Sequence, residues 1–125
     1  MAHTLHHIHL RAQDPRKSAQ WYVDVFEAKA APERDIRGAL SCPVVLGGVT
    51  ISISGPRDAE KLAASSTDVR MGLDHIAVGT DDLARDLAKM KQKGTKILEE
   101  ILLPTGGKVA FIAGPDNVRI EVMQV

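Results

Sequence analysis

The 125 residues, 44% hydrophobic and 26% charged, suffice for one hydrophobic core and not for two. Sixteen basic residues balance sixteen acidic ones, and Phe, Trp and Tyr make up only 3% of the chain. Neither a basic field for phosphates nor aromatic platforms for bases are available, so nucleic acid is excluded as a partner, and no apolar run reaches the roughly 18–20 residues that span a bilayer.

The chain opens with four of its five histidines, His3, His6, His7 and His9. Leu5, Ile8 and Leu10 interrupt the cluster with alternating apolar positions, so it reads as a strand rather than a tag. Alternation places His7, His9 and Arg11 on one face and His6, Ile8 and Leu10 on the other. Asp14-Pro15 then starts a helix, with a carboxylate to cap free N–H groups and a proline that forfeits no bond at the first helical position. Ala19, Tyr22, Val23 and Phe26 supply its buried stripe, with Trp21 and Tyr22 read as core packing. Strands follow over 38–46 and 49–54, turned at Gly47-Gly48, and Pro43 marks an edge or bulge in the first of them. Residues 55–70 form a linker, in which 58–64 have the composition of a short helix. The lone Cys42 has no disulfide partner, and no secretory signal opens the sequence, so a cytoplasmic location is expected.

The second half repeats the plan. Leu73-Asp74-His75-Ile76-Ala77-Val78 matches Leu5 to Leu10, and the offset that sets His7 on His75 also sets Asp14 on Asp82, a second helix cap. Leu83, Leu87 and Met90 form the stripe of this helix, which ends at Gly94. Strands are expected over 95–99, 108–113 and 118–124, with turns at Thr105-Gly106-Gly107 and at 114–117. The lysines at 89, 91, 93 and 96 form a solvated face, Gly106-Gly107-Lys108 is a hairpin turn rather than a phosphate loop, and Arg119 is read as edge-exposed.

If the helices cover Ile8, Leu10, Ile76 and Val78, then His7 and His75 take the opposite faces. With Ile120 and Val122 buried on the last strand, Glu121 joins them. Two neutral imidazoles and a carboxylate suit Fe(II), Mn(II), Zn(II), Ni(II) or Co(II). Mg(II), which prefers an all-oxygen shell, suits them less. His9, on the face of His7, is the candidate catalytic acid or base.

The duplicated plan, opened by Leu-His-His-Ile-His-Leu and Gly-Leu-Asp-His-Ile-Ala-Val and closed by Gly-Pro-Asp-Asn-Val-Arg-Ile-Glu-Val, resembles the vicinal oxygen chelate superfamily over essentially the whole chain. This is the glyoxalase, bleomycin resistance and extradiol dioxygenase group. The resemblance implies an α+β fold of two βαβββ modules forming a cupped mixed sheet in a single domain over 1–125. Module one covers about 4–55, the linker about 56–70 and module two about 71–125. It also implies metal positions on the first and last strands of each module, which fall on His7, His75 and Glu121. The fourth falls on Ser52, where glyoxalase I-like members commonly carry Glu and epimerases Gln. A serine hydroxyl is a poor ligand with no useful basicity near neutrality.

The implied function is a divalent-metal-dependent enzyme that chelates neighbouring oxygens of a small-molecule substrate. The open coordination position makes an Fe(II) dioxygenase-like activity the leading subtype. A glyoxalase or epimerase-type lyase or isomerase is the alternative, and a metal-free drug-binding resistance protein is the reading outside enzymes. The resemblance further implies a homodimer.

Overall fold

The computed structural model describes residues 2–125. The chain divides into two compact units, Met1–Ala63 and Ala64–Val125.

In the first unit, strand β1 (His7–Arg11) leads into helix α1 (Pro15–Phe26), followed by β2 (Lys29–Ala30), β3 (Arg34–Ile36), β4 (Ala39–Ser41), β5 (Val44–Leu46) and β6 (Val49–Ser54). The Asp14 carboxylate accepts from the Lys17 N–H at 3.2 Å, and Pro15 occupies the first turn, as the sequence predicts. The buried stripe runs through Ala19, Tyr22 and Val25 rather than Val23 and Phe26, which are half-covered. A spacing of three from Tyr22 keeps Val25 above the sheet, whereas Val23 turns a further hundred degrees around the helix.

The expected strand over 38–46 is present as β4 and β5. Both pair antiparallel with β6 in one continuous register, Ser41 opposite Ser54 and Val44 opposite Ile51. The interruption falls at Cys42-Pro43, where proline has no N–H to give the ladder, while the Cys42 N–H still reaches the Ile53 carbonyl at 2.7 Å. Gly47 and Gly48 both take positive φ, 56° and 80°, the requirement of the tight hairpin that joins β5 to β6. Strand β1 then pairs parallel with β6, Ile8 on Ile51 and Leu10 on Ile53. These four share the face covered by α1, where Ile51 and Ile53 are fully buried.

The thiol of Cys42, 4% exposed, lies in this core and is pushed above its ordinary pKa, first by burial and then by the Glu33 carboxylate. Native protein is expected to alkylate at neutral pH far more slowly than the same chain in denaturant. Because the unfolded thiol ionises first as pH rises, this group costs stability from its ordinary pKa upward. A maleimide time course at several pH values reads both effects.

The second unit repeats the order: β7 (Ile76–Thr80), helix α2 (Leu83–Gln92), β8 (Lys96–Leu102), β9 (Lys108–Ala113) and β10 (Arg119–Gln124). The sheet runs β7-β10-β9-β8, with β7 and β10 parallel. The Asp82 carboxylate caps α2 at the Arg85 N–H, 2.9 Å away. At the other end Gly94, φ 75°, donates to the Lys91 carbonyl while Thr95 donates to that of Met90, the paired bonds of a glycine-terminated helix. Leu83, Leu87 and Met90 face Ile112, Ile120 and Val122, all buried. Strand β8 extends past the expected 99 to Leu102, and the linker holds a turn at Asp58-Ala59 in place of the short helix. The result is α+β, with a mixed sheet and one α-helix among the described residues of each unit, as expected, and a 3-10 turn over Pro115–Asn117 in the second. Among the described residues no helix is long and apolar enough to cross a membrane.

Candidate metal centre

The registers of the two units agree position by position. In the first, His9 on β1 stands opposite Ser52 on β6, and in the second Ala77 on β7 stands opposite Glu121 on β10. His7 and His75 each precede that pair by two residues, so the repeat read in the sequence holds at the level of the ladder.

In the second unit His75 and Glu121 meet. Nε2 of His75 lies 2.9 Å from Glu121 Oε2, and Nδ1 lies 2.7 Å from Asp74 Oδ2. Glu121 is the more enclosed of the two carboxylates, its side chain 16% exposed against 46% for Asp74. The His75 ring sits edge-on to Phe111, centroids 5.2 Å apart, and Phe111 is the residue opposite Glu121 on β9. The Arg119 guanidinium lies over the other approach to Phe111, 4.5 Å from the ring centroid. Its Nη1 donates to the Thr67 carbonyl at 3.2 Å, and its Nε stands 3.7 Å from Asp74 Oδ2. The bond to His75, and then the Arg119 charge, hold the Asp74 carboxyl below its usual range. Arg119 is thus largely covered, its side chain 19% exposed, rather than lying open at the edge. A planar cation that stacks on an aromatic ring buries its faces without losing its donors.

This donor set suits a divalent transition metal. An imidazole whose Nδ1–H is taken by a carboxylate presents the Nε2 lone pair, the arrangement usual for histidine ligands. Here Nε2 faces a carboxylate oxygen 2.9 Å away, a gap bridged either by a proton on Nε2 or by a cation between the two. Ligands at about 2.1 Å from a shared metal stand roughly 3.0–3.4 Å from one another, so little movement separates the two cases.

In the first unit His7 is exposed, its Nδ1 2.9 Å from Nδ1 of His6. His9 Nε2 bonds Ser54 Oγ at 2.6 Å, and Ser54 and Ser52 are both buried. Burial above all, then the charges of Arg11, His7 and Arg57, pulls the His9 pKa down. Among the described residues no group of three or more His, Cys, Asp or Glu side chains is assembled that could hold a metal ion. The structure therefore brings together His75 and Glu121, with His7 belonging to the other unit.

Sequence reasoning missed Asp74, Phe111 and Ser54. Asp74 stood in plain view beside His75, but strict alternation assigns neighbours to opposite faces. Strand β7 begins only at Ile76, and in the irregular backbone before it the two adjacent side chains meet.

Residues 4–122 match the family described as the Glyoxalase/Bleomycin resistance protein/Dioxygenase superfamily. A probable lactoylglutathione lyase of Synechocystis sp. is 27% identical over 94% of this chain and 92% of its own length. A probable chloroplastic lactoylglutathione lyase of Arabidopsis thaliana is 26% identical over 94% of this chain. The chain spans only 35% of that plant protein and 43% of two other plant relatives. Among solved structures, a glyoxylase/bleomycin resistance protein/dioxygenase domain from Frankia sp. EAN1pec superposes with a TM-score of 0.79 at 22% identity, covering 98% of this chain and 92% of that one. A point mutant of the fosfomycin resistance protein FosX from Listeria monocytogenes, complexed with Mn(II) and 1S,2S-dihydroxypropylphosphonic acid, superposes with a TM-score of 0.76 at 18% identity, covering 100% of this chain and 94% of that one.

Proposed function

The chain belongs to the glyoxalase/bleomycin resistance protein/dioxygenase superfamily, and from that membership we propose that it is a divalent-metal-dependent lyase or isomerase of the glyoxalase kind. Its substrate is a small molecule with two neighbouring oxygens. The observation that carries the reading is the His75–Glu121 pair, an imidazole nitrogen and a carboxylate oxygen aimed at each other, with the other ring nitrogen held from behind by Asp74. The relatives named lactoylglutathione lyase favour this subtype over the others.

His75, Glu121 and His7 are the proposed ligands. When bound, the metal supplies Lewis-acid polarisation of the two substrate oxygens, which acidifies the adjacent C–H. The chain must then move a proton from one carbon to its neighbour. Ser52 has no basic group for this task, and His9, opposite it on the same ladder rung, has one. Its lowered pKa favours the neutral ring, and in the tautomer that donates Nε2–H to Ser54, Nδ1 carries the lone pair that would take and return the proton.

The buried Ser52 hydroxyl, which leaves a coordination position open, favours a second reading as an Fe(II) dioxygenase-like enzyme. The two part company in an anaerobic assay. Protein purified without chelator is expected to hold stoichiometric transition metal and to turn over a methylglyoxal–thiol adduct without air. Turnover of catechols only with oxygen would select the dioxygenase reading, and metal-free protein whose ligand binding survives chelation would sink both.

A further inference from the structure

We propose that Asp74 and Arg119 are positioning residues for His75, forming a relay in which Arg119 orients the Asp74 carboxylate and that carboxylate fixes the tautomer and ring angle of the imidazole. The inference rests on the reading of His75 as a ligand. Three observations in the second unit carry it.

Asp74 Oδ2 is the atom that takes His75 Nδ1 at 2.7 Å, and the same oxygen is the one nearest Arg119 Nε, at 3.7 Å. Arg119 is itself held in place, with its guanidinium over Phe111 and Nη1 on the Thr67 carbonyl. Its Nε is buried without a hydrogen-bond partner, 3.7 Å being an ion-pair distance rather than a hydrogen bond. A buried guanidinium edge left unpaired is costly unless a charge stands before it, and the charge it faces is Asp74. The Phe111 ring packs against both ends of the relay, T-shaped to the His75 ring with centroids 5.2 Å apart and beneath the Arg119 guanidinium, 4.5 Å from its Cζ, and so bears on the spacing of imidazole and cation. Phe111 also stands opposite Glu121 in the ladder, which ties this spacing to the strand that carries the proposed carboxylate ligand.

The consequence is a division of labour. Without Asp74, His75 is free to populate either tautomer and to rotate about its Cβ–Cγ bond, and only one combination presents Nε2 to Glu121. Outer-sphere partners of this sort typically change metal affinity by about 10–100-fold. Arg119 has no atom on the imidazole among its described contacts, so its influence must pass through Asp74 and must vanish when Asp74 is removed.

The test uses the full chain labelled with 15N-histidine. In metal-free wild type, a two-bond 1H–15N correlation spectrum is expected to show a hydrogen-bonded, slowly exchanging Nδ1–H for His75, which disappears in Asp74→Ala. Its absence from wild type, or its persistence in Asp74→Ala, overturns the proposal. Calorimetric titration with Zn(II) gives the second readout. Asp74→Ala is expected to bind about 10–100-fold more weakly, and Asp74→Asn, which keeps the volume and a neutral acceptor, by an intermediate amount. Arg119→Met is expected to bind several-fold more weakly than wild type and to add nothing to Asp74→Ala in the double variant. Undiminished binding by Asp74→Ala overturns the role of Asp74; undiminished binding by Arg119→Met, or an additive loss in the double variant, overturns that of Arg119. A wild type that binds no Zn(II) fails the metal reading alone, and the spectrum still decides the positioning.

Discussion

His75→Ala is expected to weaken binding of a divalent transition metal by more than the roughly 100-fold that bounds the loss of an outer-sphere partner, and to abolish turnover with it. The side chain is 28% exposed and sits before β7 rather than within the helix-facing core, so the fold should survive. Glu121→Gln is the informative companion. It keeps the length of the side chain and a carbonyl oxygen 2.9 Å from Nε2, and removes the charge. Its expected loss of affinity is smaller than that of His75→Ala, because one neutral oxygen donor remains. Calorimetry on both variants, with the thermal midpoint of the metal-free chains as control, separates lost ligation from lost structure. Wild-type affinity in His75→Ala would remove His75 from the ligand set.

The second large effect concerns stability. Asp86 is 3% exposed, and its Oδ2 accepts from the Thr80 hydroxyl at 2.5 Å. That hydroxyl accepts in turn from the Asp82 N–H at 3.2 Å, so one buried chain of bonds ties the end of β7 to the first turns of α2. Arg85 Nε meets the other carboxylate oxygen at 3.2 Å. Asp86→Ala strips the buried Thr80 hydroxyl of its acceptor and opens space beneath the helix, and is expected to cost about 3 kcal/mol. On a domain of this size that lowers Tm by about 10 °C. Asp86→Asn keeps the shape and one acceptor and should cost about half as much. Asp81→Ala removes an exposed partner of Arg85 and should change stability by less than about 0.5 kcal/mol. Chemical denaturation of the three variants checks the ranking, and equal losses for Asp81 and Asp86 would refute it.

Much of this was legible in the residues. Asp14 and Asp82 announce their helices because a carboxylate just before an apolar periodic run has a defined use, and both make the expected bond. The strands over 49–54 and 108–113 are read to the residue, because a glycine stands immediately before and after each, Gly48 and Gly55 for the first and Gly107 and Gly114 for the second. Strands β2 and β3 escaped notice for the converse reason. Lys29, Ala30 and Arg34 to Ile36 are exposed throughout, Pro32 separates them, and their pairing with β5 and β4 is recruited by the neighbouring strands rather than by their own pattern. The choice of Val23 over Val25 shows a similar limit. Two valines one turn-fraction apart fit the same period, and the packing of the sheet decides between them. For the site, residue type and spacing single out His75 and Glu121. The Asp74 contact depends on where β7 starts, which no periodicity reveals.

The matching ladders of the two units have a steric side. Opposite positions on paired strands stand about 5 Å apart, and each unit fills its rung with one bulky residue and one slight one, His9 with Ser52 and Ala77 with Glu121. The halves have thus traded places, the first spending its room on a ring at the front of the rung and the second on an acid at the back. A carboxylate at 52 would stand across a rung from the His9 imidazole, as Glu121 already stands across one from the Phe111 ring on β9.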